Sequence, residues 1–333
     1  MAKSYYGLGG YVVALASTMM LMACAQDVKF GLPDTSQDFA QNITYNNKVD
    51  ILWIMDNSSS MAKHQQNLSN AIPGMISKLN SLKMDYQMAV VTSSMGGTVP
   101  NGGQFIGSPG IIKASTPNVS SVLASRLVVG QDGSDNERGL QSMETVLSSS
   151  YQANAGKGFL RPDALLVVIA LSDEDDKSQS NATTSIAHYT SFLDSIKTPY
   201  SDGSRSWVFN FIGILSLNGS CSTTSTDYKE VGESFLGLVD ASGGTKDTLC
   251  NSDLTSAVTN IRARVLQILT DFKLSSKPVE STIVVKVNGV VIPRSTTNGW
   301  DYIAASRIVR FYGSAVPAAD ASIKVDFTPA EAN

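Results

Sequence analysis

The stretch Asp56-Asn57-Ser58-Ser59-Ser60 offers one carboxylate and two hydroxyls at alternate positions, a D-x-S-x-S pattern. A second oxygen-rich stretch, Ser172-Asp173-Glu174-Asp175-Asp176, lies far along the chain. Each follows directly on an apolar run, residues 49–55 and 164–171, of the length and composition of a buried strand. Ligands bind outside the carboxyl ends of such strands, so two neighbouring strand ends would gather these oxygens into one crevice. Hydroxyls and carboxylates are hard ligands that select Mg²⁺, Mn²⁺ or Ca²⁺ over zinc. The competing reading is that Asp56, Ser58 and Ser60 cap the backbone N–H groups of the following helix. Within the acidic run, Asp175 and Asp176 read as a solvated loop, with a second Ca²⁺ site as the alternative.

The elements that must position these residues follow from periodicity. A helical pattern runs over 60–81 with Pro73 interrupting it, and residues 84–92 form the next strand. Residues 94–110 are a Gly-rich loop, and Ile111 and Ile112 begin an edge strand. Leu140, Met143, Val146 and Leu147 share a helical face. Further helices are expected over 182–196, 227–240 and 252–272, with a strand at 207–215. Strands alternating with helices predict a parallel α/β sheet. After Pro278 the texture changes to alternating strands with an Asn288-Gly289 hairpin turn, a small β module over 278–329.

Composition narrows the function. The 333 residues carry a net charge of −4, and only 16% of them are charged. Sparse Lys and Arg make nucleic acid a poor partner. Two histidines, His64 and His188, leave little room for His-based catalysis. His64 reads as an exposed helix residue. No nucleophile elbow of the G-x-S-x-G type surrounds the serines, and no phosphate-loop motif accompanies the glycines.

The N-terminal residues pair Lys3 with an apolar run of about a dozen residues, the length of a signal-peptide core and too short for a membrane span. The run ends in Leu21-Met22-Ala23-Cys24, which resembles a bacterial lipobox. The resemblance implies cleavage after residue 23 and a lipid on Cys24. It places the chain in the bacterial cell envelope, at the outer membrane, since Ala25 rather than Asp follows the Cys. Residues 24–47 are polar and read as a tether. Outside the cytoplasm Cys221 and Cys250 read as a disulfide, two free thiols being the alternative. Its loop of about 30 residues would stabilise the fold by roughly 3–4 kcal/mol.

Strand, D-x-S-x-S and a distal strand-end Asp together resemble the von Willebrand factor type A domain, including integrin I domains, over about residues 48–273. The resemblance implies an α/β fold with a doubly wound, mostly parallel, Rossmann-like sheet, extended by the C-terminal all-β module. It implies that Asp56, Ser58 and Ser60 belong to a metal-ion-dependent adhesion site, with Asp173 acting mainly through water. A further ligand would come from residues 133–140, where the family carries Thr and this chain has Ser134; Asp135 or Glu137 are alternatives. Neutral hydroxyls leave much of a cation's charge open to an external carboxylate. The expected function is that of a lipid-anchored, non-enzymatic envelope protein. It would bind a protein or cell-surface ligand through Mg²⁺, or through Mn²⁺ or Ca²⁺. The alternatives are a structural envelope component with a stabilising metal and, less favoured for want of a base or a two-metal ligand set, a metal-dependent hydrolase.

Overall fold

The first apolar run forms a strand, but a shorter one precedes it. In chain order, β1 (Phe39–Ile43) is followed by β2 (Lys48–Met55), α1 (Ala62–Ser81), β3 (Asp85–Thr92), β4 (Ile112–Lys113) and α2 (Val119–Leu127). Then come α3 (Gly139–Leu147), α4 (Ser149–Ala153), β5 (Leu165–Ser172), α5 (Ala182–Ile196), β6 (Trp207–Gly213), α6 (Glu233–Ser242), β7 (Lys246–Thr248) and α7 (Thr255–Thr270). The chain closes with β8 (Asp271–Lys273), β9 (Val284–Val287), β10 (Val290–Val291), β11 (Trp300–Ile303), β12 (Ile308–Phe311) and β13 (Ile323–Phe327). This computed structural model describes residues 39–43, 46–96, 101–200, 203–217 and 230–330. Cys24, Cys221 and the start of the expected 227–240 helix lie outside the described residues.

The expected fold class, a doubly wound, mostly parallel sheet with an appended module, needs correction. The strands form three sheets, ordered β4-β3-β2-β5-β6-β7, β1-β13-β9-β10 and β11-β12-β8. The first is mixed, because β4 runs antiparallel to β3. The other two are wholly antiparallel. The architecture is therefore mixed α/β with one mixed and two antiparallel sheets. Two pairings that local periodicity cannot see account for the difference. β1, from the polar stretch 24–47, pairs along its whole length with β13. β8 leaves α7 without a break and pairs with β12.

The six-stranded sheet is buried on both faces, as its continuous apolar runs require. Val49, Ile51, Trp53 and Met55 of β2 pack with α1, α2 and α7 in one apolar cluster. Leu52 and Ile54 face the opposite cluster with α3, α5 and α6. Trp300, Val309, Phe311, Val325 and Phe327 join the first cluster, so the C-terminal strands share its core. α1 continues through Pro73, which lies on its exposed face. Among the described residues no helix is long and apolar enough to cross a membrane.

Candidate metal centre

β2 is paired in parallel with β3 on one side and β5 on the other, so the segments after β2 and β5 leave the same edge of the sheet. The Asp56 N–H donates to Leu171 O at 3.0 Å, tying the first loop to the neighbouring strand. Asp56 is only 1% exposed. Its Oδ1 accepts from the Ser58 N–H at 2.8 Å and its Oδ2 from the Ser172 hydroxyl at 2.7 Å. Burial raises its pKa, and these donors oppose the rise. Gln65, buried on α1, donates to Asp56 O at 2.8 Å and fixes the loop from below. The Ser58 and Ser60 hydroxyls stand 3.2 Å apart. The N-cap of α1, Met61, makes no side-chain cap, and the Ser58 and Ser60 hydroxyls pair with each other.

Asp173 is buried at the end of β5, and its Oδ1 has no hydrogen-bond partner. Burial pushes its pKa up to about 7; the Asp56 charge adds to the rise and the nearby Ser60 hydroxyl opposes it. The next carboxylates do different work from that expected of a solvated loop. Asp175 accepts from the N–H and hydroxyl of Ser234, at 2.8 and 3.1 Å, at the start of α6. Asp176 is buried and accepts from the Leu140 N–H at 2.9 Å, at the start of α3. Both hold helix N-termini, where orphan amides and the helix dipole favour a carboxylate.

The third loop is seated close against the first. The Gly133 N–H donates to Asn57 O at 2.8 Å, and a Cβ at this position would fall 2.5 Å from that oxygen. Ser134 is half-buried; its N–H donates to the Ser94 hydroxyl at 2.6 Å, and its own hydroxyl accepts from the Asn136 N–H at 3.1 Å. Asp135 is exposed. Glu137 is 2% exposed, and neither carboxylate oxygen has a hydrogen-bond partner. Burial drives its pKa up to about 8, the Asp56 charge adds to this, and Lys177 counters it. The structure thus gathers Asp56, Ser58, Ser60 and Asp173 at one strand edge, with Glu137 buried close enough to feel the Asp56 charge. Ser134 stays nearby with its hydroxyl engaged, and Asp135 faces solvent.

These residues suit a hard divalent cation. Buried carboxylates that repel one another, with three oxygens lacking donors, are stable only if protonated or if a cation joins them. No group of three His, Cys, Asp or Glu side chains able to hold an ion is found among the described residues. This candidate is of another kind, relying on Ser hydroxyls beside carboxylates. Elsewhere, His64 is buried rather than exposed. Cys250 is disulfide-bonded, and its expected partner Cys221 lies outside the described residues. Lys177 and Gln65 were not singled out from sequence, and Asp176 was read there only as part of a solvated loop. Only Gln65 leaves a trace there, as a polar residue on the inward face of a helical pattern.

No protein-family model matches the chain, and neither does any curated protein. Among solved structures, the pilus adhesin SpaC from Lactobacillus rhamnosus GG, in its open conformation, is similar at 12% identity and a TM-score of 0.45. The match covers 87% of this chain and 40% of the adhesin. Proximal thread matrix protein 1 from the mussel byssus is similar at 12% identity and a TM-score of 0.42, covering 72% of this chain and 52% of that one. Likeness this distant assigns neither fold nor function.

Proposed function

We propose that Asp56, Ser58, Ser60 and Asp173, with a residue of the third loop, hold a divalent cation. Mg²⁺ is favoured over Mn²⁺ and Ca²⁺. The cation would serve to bind a partner protein or surface ligand through that ligand's carboxylate. The observation that supports this is the buried Asp173 Oδ1, without a donor, near the Ser60 hydroxyl, which itself pairs with that of Ser58. With the lipobox-like Cys24 as its anchor, the chain would present this site at the bacterial outer membrane. The chain's own part is to pre-place the oxygens. Leu171 O and Gln65 lock the first loop, while Ser58 N–H and the Ser172 hydroxyl orient Asp56.

A second reading is favoured by Glu137. Its buried carboxylate, near the ion's ligands rather than among them, would offset a cation's charge more fully than hydroxyls alone, which suits a structural envelope component whose metal serves stability. Calorimetric titration of the chain and of Asp56→Ala with Mg²⁺, Mn²⁺ and Ca²⁺ tests the site itself. Heat of binding in the wild type and none in the variant is expected; no binding in the wild type overturns both readings. Retention of envelope proteins on the immobilised chain, abolished by chelator and by Asp56→Ala, separates binding from stability.

A further inference from the structure

Glu137, beside the candidate centre, faces a protein cation that sits at the rim. The Lys177 ammonium lies 2.5 Å from Glu174 Oε2, 3.7 Å from Glu137 Oε2 and 3.9 Å from Glu230 Oε2. Its side chain is 35% exposed, whereas Glu137 is 2% exposed. The Lys177 N–H also donates to Glu137 O at 2.8 Å, so the backbone itself holds these two residues side by side. Glu137 therefore looks two ways. Its carboxylate faces the ammonium outward at a distance too long for a hydrogen bond, and it also feels the Asp56 charge within.

We propose that Lys177 is a tethered cation that competes with the divalent ion for Glu137 and thereby sets the affinity of the centre. This rests on the metal reading given above and deepens it. A divalent ion drawn to Asp56 and Asp173 attracts Glu137 inward, away from the ammonium 3.7 Å from its Oε2, and is repelled by the like charge of Lys177. Glu174 and Glu230 keep the ammonium in place when Glu137 turns inward, so the repulsion persists in the loaded state. The chain thus holds its cation more weakly than its oxygens alone would. That is the behaviour of a site that fills and empties with the ion concentration around it rather than one loaded permanently.

The test is calorimetric titration of the full chain with Mg²⁺, in parallel with Lys177→Met and Lys177→Arg. Lys177→Met removes the charge and leaves the 2.8 Å backbone bond, and is expected to tighten Mg²⁺ binding by about tenfold or more at low salt, less at high salt. Lys177→Arg keeps the charge and is expected to bind within about twofold of the wild type. Lys177→Gln serves as a second neutral variant should the Met side chain disturb the rim. Wild-type binding that neutral variants leave unchanged or weaken overturns the inference and leaves the metal reading standing. Equal tightening by Lys177→Arg also overturns it, because charge would not be the cause. Absence of Mg²⁺ binding in every form overturns both.

Discussion

β2 carries a buried aspartate near each end, and the two ends treat it differently. Asp50 is met by Arg161, whose N–H reaches Oδ2 at 2.7 Å and whose Nε reaches Oδ1 at 2.8 Å. Arg161 also pairs with Asp85 at 2.8 Å, and the buried Lys197 ammonium donates to the carbonyls of Arg161, Pro162 and Ala164. At the other end the Asp56 carboxylate meets the Ser172 hydroxyl and the Ser58 N–H, Asp173 and Glu137 keep oxygens without donors, and the Lys177 ammonium waits at the rim. One end is a closed network in which the chain supplies its own cations. The other has fewer positive charges than its carboxylates call for. Buried acid alone therefore does not mark a site; what marks it is buried acid whose counter-charge the chain does not provide.

The largest effect should come from breaking the closed end. Arg161→Ala takes the guanidinium from buried Asp50 while leaving the backbone N–H bond, and is expected to cost roughly 3 kcal/mol in urea denaturation at neutral pH, with cation binding retained. The loss should depend on pH. In the folded chain burial pushes Asp50 up to about 6, against Arg161, from 3.8. The native state then binds the proton more tightly than the unfolded one. Asp50's contribution to stability is full below the unfolded value and is lost as pH rises to about 6. Without the guanidinium that window must extend to higher pH. The gap between Arg161→Ala and the wild type should therefore be constant below about pH 6 and widen above it, where the wild-type Asp50 has already lost its proton. A gap independent of pH would mean that Arg161 acts through packing and its backbone contacts.

The sequence made the two strand ends legible where chemistry follows strand geometry. Residues 49–55 and 164–171 read as strands and form β2 and β5, so Asp56 and Asp173 had to emerge at one edge. What stayed hidden depends on distant partners. Ser134, Asp135 and Glu137 are equally polar on paper; only the packing of their loop against Asn57 and Lys177 buries Glu137 and exposes Asp135. Asp175 and Asp176 look like a charge run because the amides they cap belong to α6 and α3. β1 was invisible for the same reason: its five residues have no apolar alternation, and its partner β13 lies at the other end of the chain.

At the open end the comparison sharpens if a carboxylate can be neutralised without harm. Asp173→Asn removes a buried charge one of whose oxygens lacks a donor, and the metal-free variant is expected to be at least as stable as the wild type. With Mg²⁺ at about one hundred times its Kd the wild type should gain about 2.7 kcal/mol, and the variant nothing, as read by thermal unfolding with and without the ion. A metal-free Asp173→Asn as damaged as Arg161→Ala would show that this carboxylate is a structural element, and the contrast between the ends would collapse.

The smallest effect divides the acidic run itself. Asp176 stands three residues beyond Asp173, yet its oxygens are taken by the Leu140 and Ser178 N–H groups, each at 2.9 Å. It belongs with Asp50 in kind: a buried acid whose partners the chain supplies, here amides in place of a guanidinium. Asp176→Ala should therefore cost about 1–2 kcal/mol through the lost cap of α3, while Mg²⁺ binding persists. Asp176→Asn, which keeps one acceptor oxygen, should lose less. Loss of Mg²⁺ binding in Asp176→Asn with stability intact would move Asp176 from the scaffold into the centre, and the boundary between supplied and missing counter-charge would have to be redrawn beyond residue 176.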